Sequence, residues 1–218
     1  MIKAVFTDFY GTLAHEDGDV VARVGQKIFS TGNAENISQI SDYWWEVFQR
    51  LYTSSYGGSF RTQRELEHES LAETIRHFSS ATDADELSEL MFAQWQKPPV
   101  FADTLPFFEN CPLPVYIVSN IDRRDLEAAV EYLALKPEDM FTSEDARSYK
   151  PRKELFEYAL EKTGLSADEV IHVGDSLSSD VGGAGSAGIR AVWLNRCGRE
   201  VPEGVNSVGV LTELFPFL

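Results

Sequence analysis

Ile2-Lys3-Ala4-Val5-Phe6-Thr7-Asp8-Phe9-Tyr10-Gly11-Thr12 opens the chain. Up to Thr7 the stretch is apolar, β-branched or aromatic except for Lys3, which reads as a buried strand. The strand ends on an acid, Asp8, and Gly11 supplies the turn that follows. The run is too short, and meets Asp8 too early, to be a secretory leader.

Working outward, the character changes after residue 15. Arg23 to Phe29, Ile37 to Tyr52, Gln63 to Phe78 and Ala84 to Trp95 have helical spacing, with no strand signal between them. Gly/Ser-rich breaks at 30–33 and 54–59 punctuate the region, and Lys97-Pro98-Pro99 closes it. Beyond it, strands and helices alternate. Strands are expected at Pro114–Ser119, Asp139–Thr142, Val170–Gly174 and Arg190–Leu194. Asp122 is expected to cap a helix running through Leu133, Pro151 to sit in the first turn of a helix that stops near Gly164, and Asp180 to Ala187 to form another. Alternation of this kind means a parallel sheet covered on both faces. The expected architecture is an α/β core split by a helical insertion.

Composition narrows the partners. The chain has 218 residues, with 35 acidic against 19 basic side chains and a net charge of −16. Its 43% hydrophobic content suffices for a core. The acidic balance argues against nucleic acid and anionic membranes, which need basic surface. No run of about 18 apolar residues is present to span a bilayer. Cys111 and Cys197 form no disulfide framework. A soluble cytoplasmic protein is expected, monomeric or homodimeric, acting on a small molecule.

Ligands of open parallel sheets bind beyond the carboxyl ends of the strands. There the sequence places Asp8 to Thr12, Ser119-Asn120, Tyr149-Lys150-Pro151 and Gly174-Asp175 through Asp180. Three acids, a lysine and two hydroxyls thus converge on one edge. Like carboxylates repel, so Asp8 and Asp175 could share a Mg²⁺, a hard cation that prefers oxygen ligands. Asp180 also suits the N-cap of its helix.

These four segments, in this order, resemble the haloacid dehalogenase superfamily of hydrolases. The resemblance implies a Rossmann-like core over residues 1–14 and 99–218 with an α-helical cap over residues 15–98. It implies that Asp8 is a nucleophile forming a covalent aspartyl intermediate and that Thr12 orients it. Ser119 would hold the transferring group, with Asn120 beside it, and Lys150 would neutralise negative charge. Asp175 would position Mg²⁺ with Asp180, and the Tyr10 carbonyl would complete the ligand set.

Two departures divide the expectation. Phosphatases of the superfamily carry a second Asp at the position of Tyr10, as general acid and base, and a tyrosine is a poor base at neutral pH. Asp-x-Tyr-Gly-Thr is instead the opening of the 2-haloacid dehalogenase branch, whose halide leaves without an acid. That branch has an arginine beside a tryptophan early in its cap, where this chain has Tyr43 to Phe48 and, nearest, Arg50. It has a tyrosine six residues after the lysine, here Phe156, and Ser and Asn where this chain has Asp175 and Leu177. Asp175 would set a needless negative charge beside an anionic haloacid. The expectation is therefore Mg²⁺-dependent hydrolysis of a phosphorylated metabolite. The alternatives are 2-haloacid dehalogenation and a low-activity binding or regulatory protein.

Other signals carry less. Gly183 to Gly188 spells GxGxxG, but its glycines do not follow a strand directly, so they read as packing. His172 reads as a core histidine. His15 and Glu16, at the edge of the helical insertion, are considered as substrate or water contacts. Arg50, Arg61, Arg64 and His68 are considered as recognising a substrate anion. Trp44, Trp45, Phe48 and Leu51 read as packing.

Overall fold

Alternation along the first strand, β1 (Ala4–Thr7), explains the layering. Val5 joins a cluster with Ile117, Ile171, Val173 and Val192 on one face. Phe6 joins Val118, Phe141, Leu155 and Phe156 on the other. Both faces of the strand are therefore buried, as a central parallel strand requires. The computed structural model describes residues 1–16 and 18–218.

The remaining strands are β2 (Val115–Ser119), β3 (Asp139–Thr142), β4 (Val170–Gly174), β5 (Arg190–Leu194) and β6 (Asn206–Val208). All pair in parallel in the order β3-β2-β1-β4-β5-β6. This is a Rossmann-type order, and the succession reverses direction between β1 and β4. Thr7 is in register with Ile117 of β2 and Val173 of β4, which brings the loops after β1, β2 and β4 to one crevice. The α/β class and the Rossmann-like sheet thus hold.

The helical excursion after β1 is built of α1 (Gly18–Thr31), α2 (Ile37–Ser54), α3 (Gln63–His77) and α4 (Ala84–Gln96). Asn36, Thr62 and Asp83 cap the last three through side-chain oxygens, and Thr62 forms a capping box with Glu65. Their apolar faces, including Val20, Ile28, Ile40, Trp44, Leu71, Met91 and Trp95, extend the core cluster of Val5. A small separate cluster of Phe48, Leu66 and Tyr149 joins α2 and α3 to the loop that carries Lys150. The segment enters and leaves through one ribbon. His15 N donates to Pro99 O at 2.8 Å, Phe101 N donates to Leu13 O at 3.2 Å, and Ala14 bridges Val100.

Five helices accompany the later strands: α5 (Thr104–Asn110), α6 (Arg123–Tyr132), α7 (Ser143–Ala146), α8 (Glu154–Thr163) and α9 (Gly183–Ser186). Three expectations need correction. Pro151 does not open α8, which begins at Glu154 after a turn. Asp180 is not an N-cap. Leu177–Gly182 winds as a π-helical turn capped by Ser176, and Asp180 lies inside it. Asp122 precedes α6 but makes no side-chain cap there. Among the described residues no helix is long and apolar enough to cross a membrane.

Candidate active site

Asp8 extends the pairing of β1, donating its N–H to Val173 O at 3.0 Å. The chain then turns sharply. Gly11 has φ +85°, and a Cβ built there would lie 2.6 Å from the Asp175 carboxyl group. Only a residue without a side chain fits both the backbone and the approach. Thr12 locks the two loops together. Its Oγ1 accepts from Asp175 N at 3.1 Å and donates to Asp175 Oδ1 at 3.3 Å. Trp193 Nε1 and Arg199 Nη2 donate to Asp175 O from behind, at 2.8 and 3.3 Å. Arg196 donates to Thr12 O at 2.7 Å and pairs with Asp103 at 3.1 Å.

Lys150 is 2% exposed. Its ammonium donates to Asp8 Oδ1 at 2.7 Å, Asp180 Oδ1 at 2.7 Å and Val118 O at 3.0 Å, which uses all three of its protons. Burial works against that charge, but Asp180 and Asp8 outweigh it and hold Lys150 above the ordinary lysine range. Burial also opposes ionisation of Asp180, yet Lys150 and His172 keep it well below the usual carboxylate range. Asp180 Oδ1 is 3.0 Å from His172 Nε2, and its Oδ2 accepts from Ser176 N at 3.0 Å. With both oxygens engaged, Asp180 fixes the lysine. His172 is a buried core histidine whose Nε2 meets Asp180, but it is not fully satisfied, because its buried Nδ1 has no hydrogen-bond partner.

The other two acids are crowded. Burial pushes Asp8 up to about 7, against the pull of Lys150 and with repulsion from Asp180 and Asp175. Burial pushes Asp175 up to about 6, with repulsion from Asp180 and Glu16. Asp8, Asp175 and Asp180 each offer an oxygen within 4.8 Å of the others. One lysine faces three carboxylates, and the donors are hard oxygens. The residues fit a small divalent cation such as Mg²⁺, which Asp8 and Asp175 would chiefly hold.

Ser119 is buried at the end of β2, opposite Thr142 of β3. Asn120 clasps the lysine's own peptide. Its Oδ1 accepts from Lys150 N at 2.7 Å and its Nδ2 donates to Lys150 O at 3.0 Å. Tyr10 points elsewhere, its hydroxyl donating to Trp95 O of α4 at 2.6 Å. Asp8, Thr12, Ser119, Asn120, Lys150, Asp175 and Asp180 thus gather at one crevice, while the Tyr10 side chain reaches into the helical segment.

The cationic side chains considered for an anion meet acids instead. Arg50 pairs with Glu73 and Arg61 with Glu69, both at 2.6 Å. Arg64 pairs with Asp125 at 2.5 Å and His68 with Asp85 at 2.8 Å. His15 packs at a tilt against Phe101 with ring centres 3.8 Å apart. Trp44 is core, bonded to Ser70, whereas Trp45 is 63% exposed. Tyr52 of α2 was invisible to motif reading, since only tertiary folding brings it to Asn120 and Lys150. Arg196 and Arg199 follow β5, so the rule that ligands gather beyond strand ends contains the signal that would have found them.

Comparison with known proteins agrees with this architecture. A 27%-identical relative is the (S)-2-haloacid dehalogenase 4A of Burkholderia cepacia, matched over 100% of this chain and 95% of that protein. The haloacid dehalogenase-like hydrolase domain-containing protein 3 of Danio rerio is 41% identical, over 44% of this chain and 42% of that protein. The phosphoserine phosphatase of Thermus thermophilus is 32% identical, over 61% of this chain and 56% of that protein. Among solved structures, the L-2-haloacid dehalogenase of Xanthobacter autotrophicus superposes with a TM-score of 0.79 at 22% identity, covering 100% and 98% of the two chains. The HAD-hydrolase YfnB of Bacillus subtilis, bound to magnesium, superposes with a TM-score of 0.78 at 21% identity, covering 100% and 98%. These likenesses are of fold. The model of the haloacid dehalogenase-like hydrolases itself matches residues 2–188, and the chain belongs to that family of hydrolases.

Proposed function

We propose that this hydrolase cleaves phosphomonoesters with Mg²⁺, and that residues 15–98 serve as a cap over the crevice. The observation that carries the reading is the carboxylate of Asp175, seated by Thr12 beside Asp8. A third acid at that point adds repulsion toward a haloacid's carboxylate and supplies a ligand to a cation. Asp8 Oδ1 is engaged by Lys150, so Oδ2 is the attacking atom. It bonds to phosphorus as the ester P–O bond breaks, and the leaving oxygen takes a proton from solvent. Water then attacks phosphorus, releasing phosphate and the Asp8 carboxylate and returning a proton to solvent. Ser119 donates to an equatorial oxygen, and Lys150, whose three protons are taken, stabilises the phosphoryl charge through its own charge. Mg²⁺, when bound, supplies Lewis-acid neutralisation of the phosphoryl charge.

Tyr10 supports a second reading, 2-haloacid dehalogenation. Its hydroxyl donates to Trp95 O rather than offering an acid at that position, and a halide needs none to leave. The full-length dehalogenase relative favours the same reading. The two are separated by offering purified protein an aryl phosphate and a short-chain 2-haloacid, each with Mg²⁺ and with chelator. Phosphate release that needs Mg²⁺ and vanishes in Asp8→Asn supports the proposal. Halide release indifferent to chelator overturns it in favour of the dehalogenase. Release of neither product favours a binding protein.

A further inference from the structure

Tyr52 lies in the last turn of α2, within the helical segment, yet its hydroxyl rests on the lysine loop. It donates to Lys150 O at 2.5 Å and accepts from Asn120 Nδ2 at 2.5 Å. Its ring packs on Tyr149, the residue before the lysine, with centres 4.5 Å apart. Tyr149 is held in turn by the same segment: its hydroxyl donates to Arg61 O at 2.8 Å and its ring packs on Phe60 at 5.2 Å. We propose that Tyr52 is a positioning residue, whose hydroxyl closes the Asn120 clasp on the Lys150 main chain and ties the placement of the ammonium against Asp8 to the seating of the helical segment.

The geometry supports this in three ways. The ammonium has no spare donor, so its position is set by where its main chain is held. The main chain is held at both its N–H and its carbonyl, and Tyr52 is the contact that comes from α2. Burial holds the Tyr52 hydroxyl far above the ordinary tyrosine range, so it stays protonated and able to donate across neutral pH. The proposal rests on the reading that Lys150 serves a reaction at Asp8. Its effect does not depend on whether phosphate or halide leaves.

Tyr52→Phe is the test. It keeps the ring on Tyr149 and leaves Asn120 and Lys150 bonded to each other, so no buried polar group is stranded. Two readouts are taken on the full chain. One is deuterium uptake of the Lys150 amide, followed by mass spectrometry. The other is kcat and KM for whichever product the wild type releases. The expected result is exchange at Lys150 faster by about threefold or more, with α1 and α4 unchanged. With it, kcat should fall about five- to tenfold, the scale of one hydrogen bond, and KM should stay within about twofold. Asn120→Ala should speed the same amide, and the double variant should add little, as partners in one network do. Unchanged exchange, unchanged kcat in an active enzyme, or fully additive effects overturn the proposal. If the wild type releases neither product, the functional reading fails, and the exchange experiment alone decides whether Tyr52 holds the lysine.

Discussion

Asp122 caps a helix other than its own: its carboxylate accepts from Arg64 N at 3.0 Å, and from Gln63 N at 2.7 Å, at the start of α3. The first turn of a helix leaves N–H groups unpaired, and an anion there is favoured by the helix dipole. The helical segment is thus seated on the core by a cap supplied from the loop before α6.

That seat is pH-dependent. Burial pushes Asp122 up to about 6 from its ordinary 3.8, helped by Glu144 and Asp125 and opposed by the two amides. The folded protein therefore holds this proton more tightly than the unfolded chain. The cost of ionising Asp122 develops as pH rises from about 4 to about 6 and is constant above. Wild-type stability should fall relative to Asp122→Asn across that window, by up to about 3 kcal/mol. Urea unfolding of both proteins at pH 4, 5, 6 and 7 measures it, and a constant difference would refute the assignment.

Arg64 makes the second tie. Its Nε and Nη2 grip Asp125 at 2.7 and 2.5 Å, its guanidinium lies 4.0 Å over the Phe92 ring, and Gln96 adds a bond to Asp125 at 2.9 Å. Asp125 is fully buried. Arg64→Ala leaves that charge without its partner and should cost about 3–5 kcal/mol in denaturant unfolding. Arg64→Lys cannot reproduce the two-pronged contact and should recover only part of the loss.

Gly11→Ala tests the approach of the loop after Asp8 to the loop of Asp175. The new methyl would force a left-handed backbone and strike the Asp175 carboxyl group. Stability should fall by about 1–3 kcal/mol, and any Mg²⁺-dependent activity should drop by more than an order of magnitude. Calorimetry and steady-state assays would show it. Intact activity would mean that Asp175 is not needed where it stands.

Under the proposed phosphatase reading, Tyr10 bears on the leaving group. It stands where a general acid is expected and gives its hydroxyl proton to Trp95 O, so aryl phosphates should be cleaved far faster than alkyl phosphates. General acid help is worth about 10²–10⁴-fold. Tyr10→Asp should narrow the aryl-to-alkyl ratio by at least tenfold. An unchanged ratio would show that another group already supplies the proton.

Motif reading brought together residues that the fold also brings together, because most of them sit at strand ends, where short sequence order and space coincide. β4 and β5 have the expected bounds, and β1 and β2 differ by one or two residues. β6 escaped notice because Asn206-Ser207-Val208 is short and mostly polar, and its register with β5 makes it a strand. α5 holds Pro106 within seven residues, and α7 is a single turn, so neither has a period to read. Asp180 looked like a helix cap because an acid before small residues usually is one. Its actual partners, Lys150 and His172, lie 30 and 8 positions away. The partners of Arg61, Arg64 and His68 lie on neighbouring turns or other helices, which composition cannot reveal.

The ribbon that joins Ala14 to Val100 has a thermodynamic consequence. Because the two ends of the helical excursion are already held side by side, the core pays one loop-closure entropy, and that cost grows only logarithmically with the length enclosed. The excursion can lengthen, shorten or be exchanged at small expense to the sheet beneath it. The ends of β1 and β4, which carry Asp8 and Asp175, can keep their register through such variation, which would reach the crevice through the contact of α2 with the Lys150 loop.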